Sequence, residues 1–357
     1  GSNGKTTTGR LIDAVLRSRF RGTVSARSFN NDIGVPLTIL AARPGDQYLV
    51  CEVGTNSPGE IETLARIIEP DIAIITMIGR AHIEHFGSTA AIAREKATLL
   101  SYIRPGGTAI VTAENDLLRE FIKPIPNVLT FGRTRDADLR LTAFEHIADG
   151  DGGELSRFTI NERRPFSLAL YGEHNALNAL AAVAVGHRFG LDDDEIARGL
   201  RDVVPSDMRL QRETIAGVDV FNDAYNASPE STVAAIRTFA ALTGASRRRI
   251  VVVGDMLELG DAAPGAHREV AQAILEAEGI DAVVTVGAAA LYTADELSQH
   301  WPQGRISMFQ RLRDDEARRI ATMFEDGDAV LIKGSRGMRL EQIIVALRER
   351  VPSGPGV

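Results

Sequence analysis

Two hydrophobic rhythms alternate along this chain. At Ile61, Leu64, Ala65 and Ile68, apolar residues recur at i, i+3, i+4 and i+7, the spacing that gives a helix one apolar face. Pro58 stands where a first helical turn accepts proline, and Pro70 ends the segment. Residues 72–77 then form a near-continuous apolar run of strand length, and residues 48–53 a second one that stops at Gly54. Strands apolar on both faces need cover on both faces, so this helix–strand succession predicts a mostly parallel sheet between helices. Ahead of it, a glycine-bracketed turn at residues 1–7 leads into a helix expected to reach about Phe20.

Residues 139–170 follow a different rule. Apolar and polar positions alternate there around Asp149-Gly150-Asp151-Gly152-Gly153, which predicts an antiparallel hairpin or meander appended to the sheet. From His174 to about Val204 the pattern is helical and rich in alanine and leucine. Residues 205–209 read as a boundary, because strand–helix alternation then restarts. Strands are expected at 218–222, 250–253, 282–286 and 329–332, and helices near 231–242, 267–277, 314–324 and 340–347. The tail from Pro352 is expected to be disordered.

Composition narrows the classes. The 357 residues exceed what one compact domain usually needs, and 44% hydrophobic with 25% charged residues is a globular make-up. No apolar run approaches the roughly 18 residues of a membrane span. The single cysteine, Cys51, excludes a disulfide framework and a Cys-built metal site and fits a reducing compartment, so a cytoplasmic location is expected. With 40 basic against 48 acidic side chains, the net charge of −8 argues against sequence-independent nucleic-acid binding.

Several short strings carry chemistry. Gly1-Ser2-Asn3-Gly4-Lys5-Thr6-Thr7 ends in the Gly-Lys-Thr of a phosphate-binding loop. Its backbone N–H groups and helix start suit an anion, Lys5 supplies charge to the β/γ-phosphates, and the Thr6 hydroxyl can ligate Mg²⁺. Glu52, at the end of an apolar run, is either a metal-binding carboxylate or an exposed strand-end charge. Asn30 and Asn31 precede Gly34 and Pro36 and are turn formers on their own terms. His82, Glu84 and His85 lack zinc-site spacing. Lys96 lies in an otherwise apolar helical stretch, where a lysine commonly marks a solvated face. Asn175 and Asn178 sit in a helix's first turn, as adenine contacts or as caps.

Taken in order, the strings Asn-Asn-Asp-Ile-Gly-Val-Pro (30–36), Glu-Val-Gly-Thr-Asn-Ser-Pro-Gly-Glu-Ile (52–61), Asp-Ala-Tyr-Asn-Ala-Ser-Pro (223–229), Gly-Asp-Met-Leu-Glu-Leu-Gly (254–260) and Lys-Gly-Ser-Arg (333–336) resemble the Mur ligases over essentially the whole chain. Within that family the similarity is to the members that join D-Ala-D-Ala to UDP-MurNAc-tripeptide. The resemblance implies an α/β fold: a P-loop, ATP-binding central domain with a mostly parallel sheet (1–208) and a Rossmann-like C-terminal domain (209–357). It further implies that the family's uridine-gripping domain and the strand leading into the P-loop lie outside the chain, so that the segment alone is less stable.

The implied chemistry is an ADP-forming amide ligation by a cytoplasmic monomer, with no nucleic-acid or membrane partner. Asn3, Gly4, Lys5, Thr6 and Thr7 would hold the phosphates, Asn175 and Asn178 the adenine, Asp223 the ribose, and Arg209 the phosphates again. Two Mg²⁺ ions are implied, one on Thr6 and Glu52, the other on His82 and a carbamylated Lys96. Lys5, His82 and Lys96 would be catalytic, and Asn31, Asn226, Lys333, Ser335 and Arg336 would bind the peptide substrates. Arg80 departs from the family pattern and adds a cation near the second metal. The alternatives are a relative of the folylpolyglutamate or cyanophycin synthetase type, and a non-catalytic P-loop module. Glu52, His82, Lys96 and a second domain speak against the last.

Overall fold

The computed structural model describes residues 1–149, 154–244 and 247–350. The chain divides into two compact units, Gly1–Pro205 and Ser206–Val357. The first begins with α1 (Lys5–Arg17), β1 (Gly22–Val24), α2 (Gly34–Leu40), β2 (Tyr48–Val50), α3 (Glu60–Ile68) and β3 (Ile72–Ile75). It continues through α4 (Ile83–Phe86), α5 (Thr89–Ala97), β4 (Thr108–Thr112), α6 (Arg119–Ile122) and β5 (Val128–Gly132). The meander β6 (Leu139–Ala148), β7 (Glu154–Ile160) and β8 (Pro165–Leu168) follows, then α7 (Glu173–Arg188) and α8 (Asp193–Arg201).

Its larger sheet has the order β3-β4-β5-β6-β7-β8, parallel up to β6 and antiparallel beyond. β1 and β2 form a separate parallel pair. Alternate residues separate two cores, as expected for a sheet covered on both faces. Ala73, Ile75, Ala109 and Val111 pack on Ile92, Ala93 and Ala97 of α5, whereas Ile110 and Phe131 belong with α1 and α7. Between β2 and β3 lies a cavity of about 650 Å³, lined by Val50 and Cys51, by Ile72 and Ile74, and by Lys5 and Lys96.

The second unit runs β9 (Gln211–Ile215), β10 (Val218–Asp223), α9 (Pro229–Leu242), β11 (Arg249–Gly254), α10 (Ala263–Glu276), β12 (Ala282–Val286), α11 (Leu291–Ser298), β13 (Ile306–Phe309), α12 (Asp314–Ala321), β14 (Ala329–Lys333) and α13 (Glu341–Glu349). Its sheet order is β13-β12-β11-β14-β10-β9, and only the β9–β10 pair is antiparallel. Val252, Val284, Val330 and Ile332 face α12 and α13. On the other side α10 packs between α9 and α11, and Phe221 meets Phe239 of α9 edge to face. The helix after β11 and the helix after β14 therefore cover opposite faces. Their loops diverge and leave a crevice at the C-terminal ends of these two adjacent strands, where doubly wound sheets bind ligands.

The structure departs from the sequence reading in local ways. β2 and β3 end at Val50 and Ile75, short of the apolar runs. α3 starts one turn position later than Pro58 suggests: Gly59 is its N-cap, at φ 90°. α9 starts at Pro229, earlier than expected, because Ser228 and Ser231 cap it reciprocally. Most of the 149–153 turn and the tail from Pro352 lie outside the described residues.

Close helix packing yields a test. A Cβ on Gly199 of α8 would lie 2.5 Å from Val15 Cα of α1. Alanine is intrinsically better in a helix by about 1 kcal/mol, but overpacking against backbone costs about 1–3 kcal/mol. Gly199→Ala is expected to lower stability in urea titration. A stabilised variant would contradict the α1–α8 contact.

Candidate functional site

The residues at the start of the chain fold into a clamped turn. Gly4, the N-cap of α1, has φ 83°, a backbone that favours glycine, and a Cβ there would strike Asn178 Oδ1. Ser2 binds on one side: its N–H donates to Met77 O (2.8 Å), its hydroxyl donates to Gly79 O (3.1 Å), and Gly79 N–H donates back to that hydroxyl (2.9 Å). This ties the turn to the loop that carries Arg80 and His82. Lys5 Nζ donates to Gly1 O at 3.0 Å, folding its ammonium over the turn. His82 itself occupies a left-handed backbone position, φ 63°, as the N-cap of α4.

Thr6 and Glu52 meet directly. The Thr6 hydroxyl donates to Glu52 Oε2 at 2.7 Å, and Asn30 Nδ2 donates to Glu52 Oε1 at 2.8 Å. Glu52 N–H is held by Ser25 Oγ at 2.9 Å, and Ser28 Oγ lies 3.2 Å from Thr6 Oγ1. Glu52 is buried, so its reading as an exposed strand-end charge is set aside. A carboxylate accepting from neutral donors beside a hydroxyl is a hard-oxygen set that fits Mg²⁺. Among the described residues, no three His, Cys, Asp or Glu side chains cluster as an all-protein metal cage.

Lys96 is 5% exposed, which overturns the solvated-face reading. Burial first, then the nearby Lys5 charge, bring its pKa down to about 7, against a smaller upward pull from Glu95. Glu95 was missed in the sequence. Its two carboxylate oxygens accept from Gly59 N–H (2.9 Å) and Ile61 N–H (3.0 Å), so it caps α3 from α5. That role accounts for the burial of the Glu95 carboxylate in this helix.

Asn175 and Asn178 are buried, and neither caps α7, whose N-cap Gly172 has no side-chain cap. Asn175 Nδ2 donates to Tyr171 O (2.7 Å), Asn178 Nδ2 donates to Asn175 Oδ1 (3.3 Å), and Asn178 backs onto Gly4. Asn31 remains exposed and accepts Gly34 N–H through Oδ1 (2.9 Å), the turn-forming role its type suggests. Ser2, Ser25, Ser28 and Asn30 position the site but carry no charge, and none of these four was given a functional role in the sequence reading.

In the second unit, the strand ends of β10, β14 and β11 gather the remaining residues. Lys333 is 2% exposed, and its Nζ donates to Asp223 Oδ2 (2.6 Å) and Asn226 O (3.1 Å). Asp223 Oδ1 accepts Leu210 N–H at 3.1 Å. This pins residues 208–210, where Met208 (φ 54°) and Leu210 (φ 52°) flank Arg209 in left-handed backbone. The Arg209 guanidinium lies 4.2 Å from the Tyr225 ring centre, a cation–π contact. Ser335 Oγ accepts Leu257 N–H (2.9 Å) and donates to Ala227 O (3.5 Å), so one hydroxyl links all three loops. Arg336 pairs with Glu341 at 3.1 Å.

The chain is matched by two family models. Residues 1–186 match the Mur ligase middle domain, and residues 208–336 the Mur ligase, glutamate ligase domain. The chain is 36% identical over 351 residues to the UDP-N-acetylmuramoyl-tripeptide–D-alanyl-D-alanine ligase of Bacillus subtilis (strain 168), covering 98% of this chain and 75% of that protein. It superposes on a crystal structure of MurF from Acinetobacter baumannii with TM-score 0.85 at 30% identity, over 98% of this chain and 75% of the other. MurF from Thermotoga maritima, solved in complex with ADP, gives TM-score 0.83 at 26% identity, over 98% and 78%. The chain thus spans about three quarters of the length of these relatives.

The Lys96 environment is testable by pH. In carbon-dioxide-free buffer an unfolded lysine titrates near 10.5 and the folded one at about 7. Between those values the unfolded chain holds more protons, so stability climbs with pH; the penalty is full below the folded value and gone above the unfolded one. From pH 7 to 9 the wild type should gain on Lys96→Met by on the order of 2 kcal/mol in urea titrations. Parallel pH profiles would contradict the buried amine.

Proposed function

Because the chain belongs to the Mur ligase family, we propose that it joins D-Ala-D-Ala to UDP-MurNAc-tripeptide, cleaving ATP to ADP and phosphate, in the synthesis of peptidoglycan precursors. The observation that carries the chemistry is the Gly4-Lys5-Thr6 turn, with Thr6 on buried Glu52 and the buried amine of Lys96 near Lys5. Support for the substrate pair comes from the names of the relatives and from the 30–36 and 223–229 strings, which favour it over a folylpolyglutamate or cyanophycin type of ligase. In this reading the enzyme is a cytoplasmic monomer. Among the described residues, no helix is long and apolar enough to cross a membrane.

The reaction would run in two steps. A carboxylate oxygen of the tripeptide attacks the γ-phosphorus of ATP, the bond to the β,γ-bridging oxygen breaks, and ADP leaves from an acyl phosphate. The dipeptide amine then attacks the acyl carbon, and the tetrahedral intermediate expels phosphate with loss of a proton from nitrogen. Lys5 and the α1 N-terminus would neutralise phosphoryl charge, with Asn3, Gly4, Thr6 and Thr7 around it. Asn175 and Asn178 are assigned to adenine, Asp223 to ribose, and Arg209 to phosphate. Asn31, Asn226, Lys333, Ser335 and Arg336 are assigned to the peptide substrates.

Thr6 with Glu52, and His82 with Lys96, would hold Mg²⁺, which supplies charge neutralisation on phosphoryl oxygens. The amine of Lys96 suits carbamylation. With a pKa of about 7 much of it is neutral at physiological pH, the form that adds CO₂. The resulting anion would turn its repulsion with Lys5 into attraction. ATP binding is assigned to residues 1–208 and the C-terminal domain to 209–357, a boundary three residues beyond the division between the compact units at Pro205.

ADP release by the full chain should require both UDP-MurNAc-tripeptide and D-Ala-D-Ala. Glutamate serving equally well in place of the dipeptide would defeat the assignment. Lys96→Ala should lose at least about a hundredfold in turnover, with partial recovery in short carboxylic acids. A folded variant that no carboxylic acid rescues would remove the carbamate from the account.

A further inference from the structure

His267, in the first half of α10, is 1% exposed and has no place in the chemistry above. Its Nε2 lies 3.2 Å from Met256 N and accepts that N–H. The Thr293 hydroxyl donates to His267 O (2.9 Å), so its oxygen is left to accept from Nδ1–H at 3.3 Å. Both ring nitrogens are thus engaged, and the tautomer is set by Thr293. Burial also holds the ring neutral, with a pKa of about 4.

Met256 opens the loop that follows β11, on one wall of the crevice between β11 and β14. The loop's next residue, Leu257, spans that crevice. Its N–H reaches Ser335 Oγ (2.9 Å), and its side chain packs on Gly337, where a Cβ would lie 2.9 Å from Leu257 Cδ1. Ser335 N–H returns to Asp255 O at 3.1 Å. Asp255 N–H donates to Val286 O (3.2 Å) at the end of β12, and its Oδ1 accepts Ala290 N–H (2.7 Å) at the N-cap of α11, anchoring the loop's start. Below, Gly254 and Gly334 approach each other under Leu340, leaving no room for larger residues. Leu257 is nevertheless 45% exposed, and Glu258 holds a left-handed backbone, φ 62°. A half-exposed leucine and a strained residue at a doubly wound sheet's ligand edge are features of a binding wall rather than of packing.

We infer that His267 is a positioning residue for the incoming amine substrate: through Met256 N–H it sets the 255–259 loop, and with it Leu257 and Ser335, which form the wall against which the dipeptide is selected. This rests on the assignment above of Lys333, Ser335 and Arg336 to the peptide substrates. The residue acts at second hand and touches no reacting atom.

Steady-state kinetics on the full chain test it with His267→Phe, which keeps a ring but offers no acceptor, and His267→Gln, whose Oε1 restores one. His267→Phe should raise KM for D-Ala-D-Ala about tenfold and leave KM for ATP and for UDP-MurNAc-tripeptide within about twofold. His267→Gln should recover most of that loss. An unchanged dipeptide KM, an equal rise in all three KM values, or identical defects in both variants would overturn the inference. Should His267→Phe fail to fold, Thr293→Val, which removes the tautomer's partner, is expected to raise the dipeptide KM about threefold, and no change there would overturn it too. A wild type whose ADP release ignores D-Ala-D-Ala overturns the substrate reading together with this one. A normal wild-type response with unaltered variants overturns the role of His267 alone.

Discussion

The first unit depends on one clamped turn. Gly4 adopts a left-handed backbone at the start of α1, and three neighbours hold it there: Ser2 on the 77–79 loop, Asn178 against the glycine itself, and Thr6 on Glu52. Each anchor comes from a different part of the fold. A helix start bound on three sides presents its N–H groups in a fixed direction, which is what preorganised anion binding requires. The parallel sheet matters here because β3 brings its C-terminal end to this turn, as α7 brings Asn175 and Asn178 from the other side.

Electrostatics add a second constraint. Lys96 is enclosed near Lys5, and the carboxylate next to it in sequence, Glu95, has both oxygens committed to the N-terminus of α3. Burial and the nearby Lys5 charge both disfavour the charged amine, so Lys96 loses its proton more readily than an exposed lysine. In the second unit Lys333, also buried, has a direct carboxylate partner in Asp223. The contrast separates an amine with no direct carboxylate partner among the described residues from one bound to Asp223, whose other oxygen holds Leu210 N–H.

The sheet architecture was legible because apolar runs flanked by helical periodicity have few other solutions. Each expected strand of the second unit is present. The strands that went unread there, β9 and β13, are short, partly exposed edges with little apolar signal. Site residues were legible where charge or glycine stood in a recognisable string. They were illegible where burial decides the role: Lys96 and Glu95 look like a surface pair in Ala-Arg-Glu-Lys-Ala, and His267 lies in the polar-looking Ala-His-Arg-Glu. The Ser25 hydroxyl gave no signal at all, since its partner Glu52 lies 27 residues away in the chain.

The fold lowers the pKa of the buried Lys96 amine beside the Lys5 charge, and in the proposed chemistry this amine captures CO₂. ¹³C NMR of the protein in ¹³C-labelled bicarbonate addresses it without any substrate. One Lys96-dependent carbamate carbon resonance is expected in the wild type, absent in Lys96→Met and weakened in Lys5→Met, where the stabilising charge is gone. A folded wild type with no Lys96-dependent resonance would contradict it.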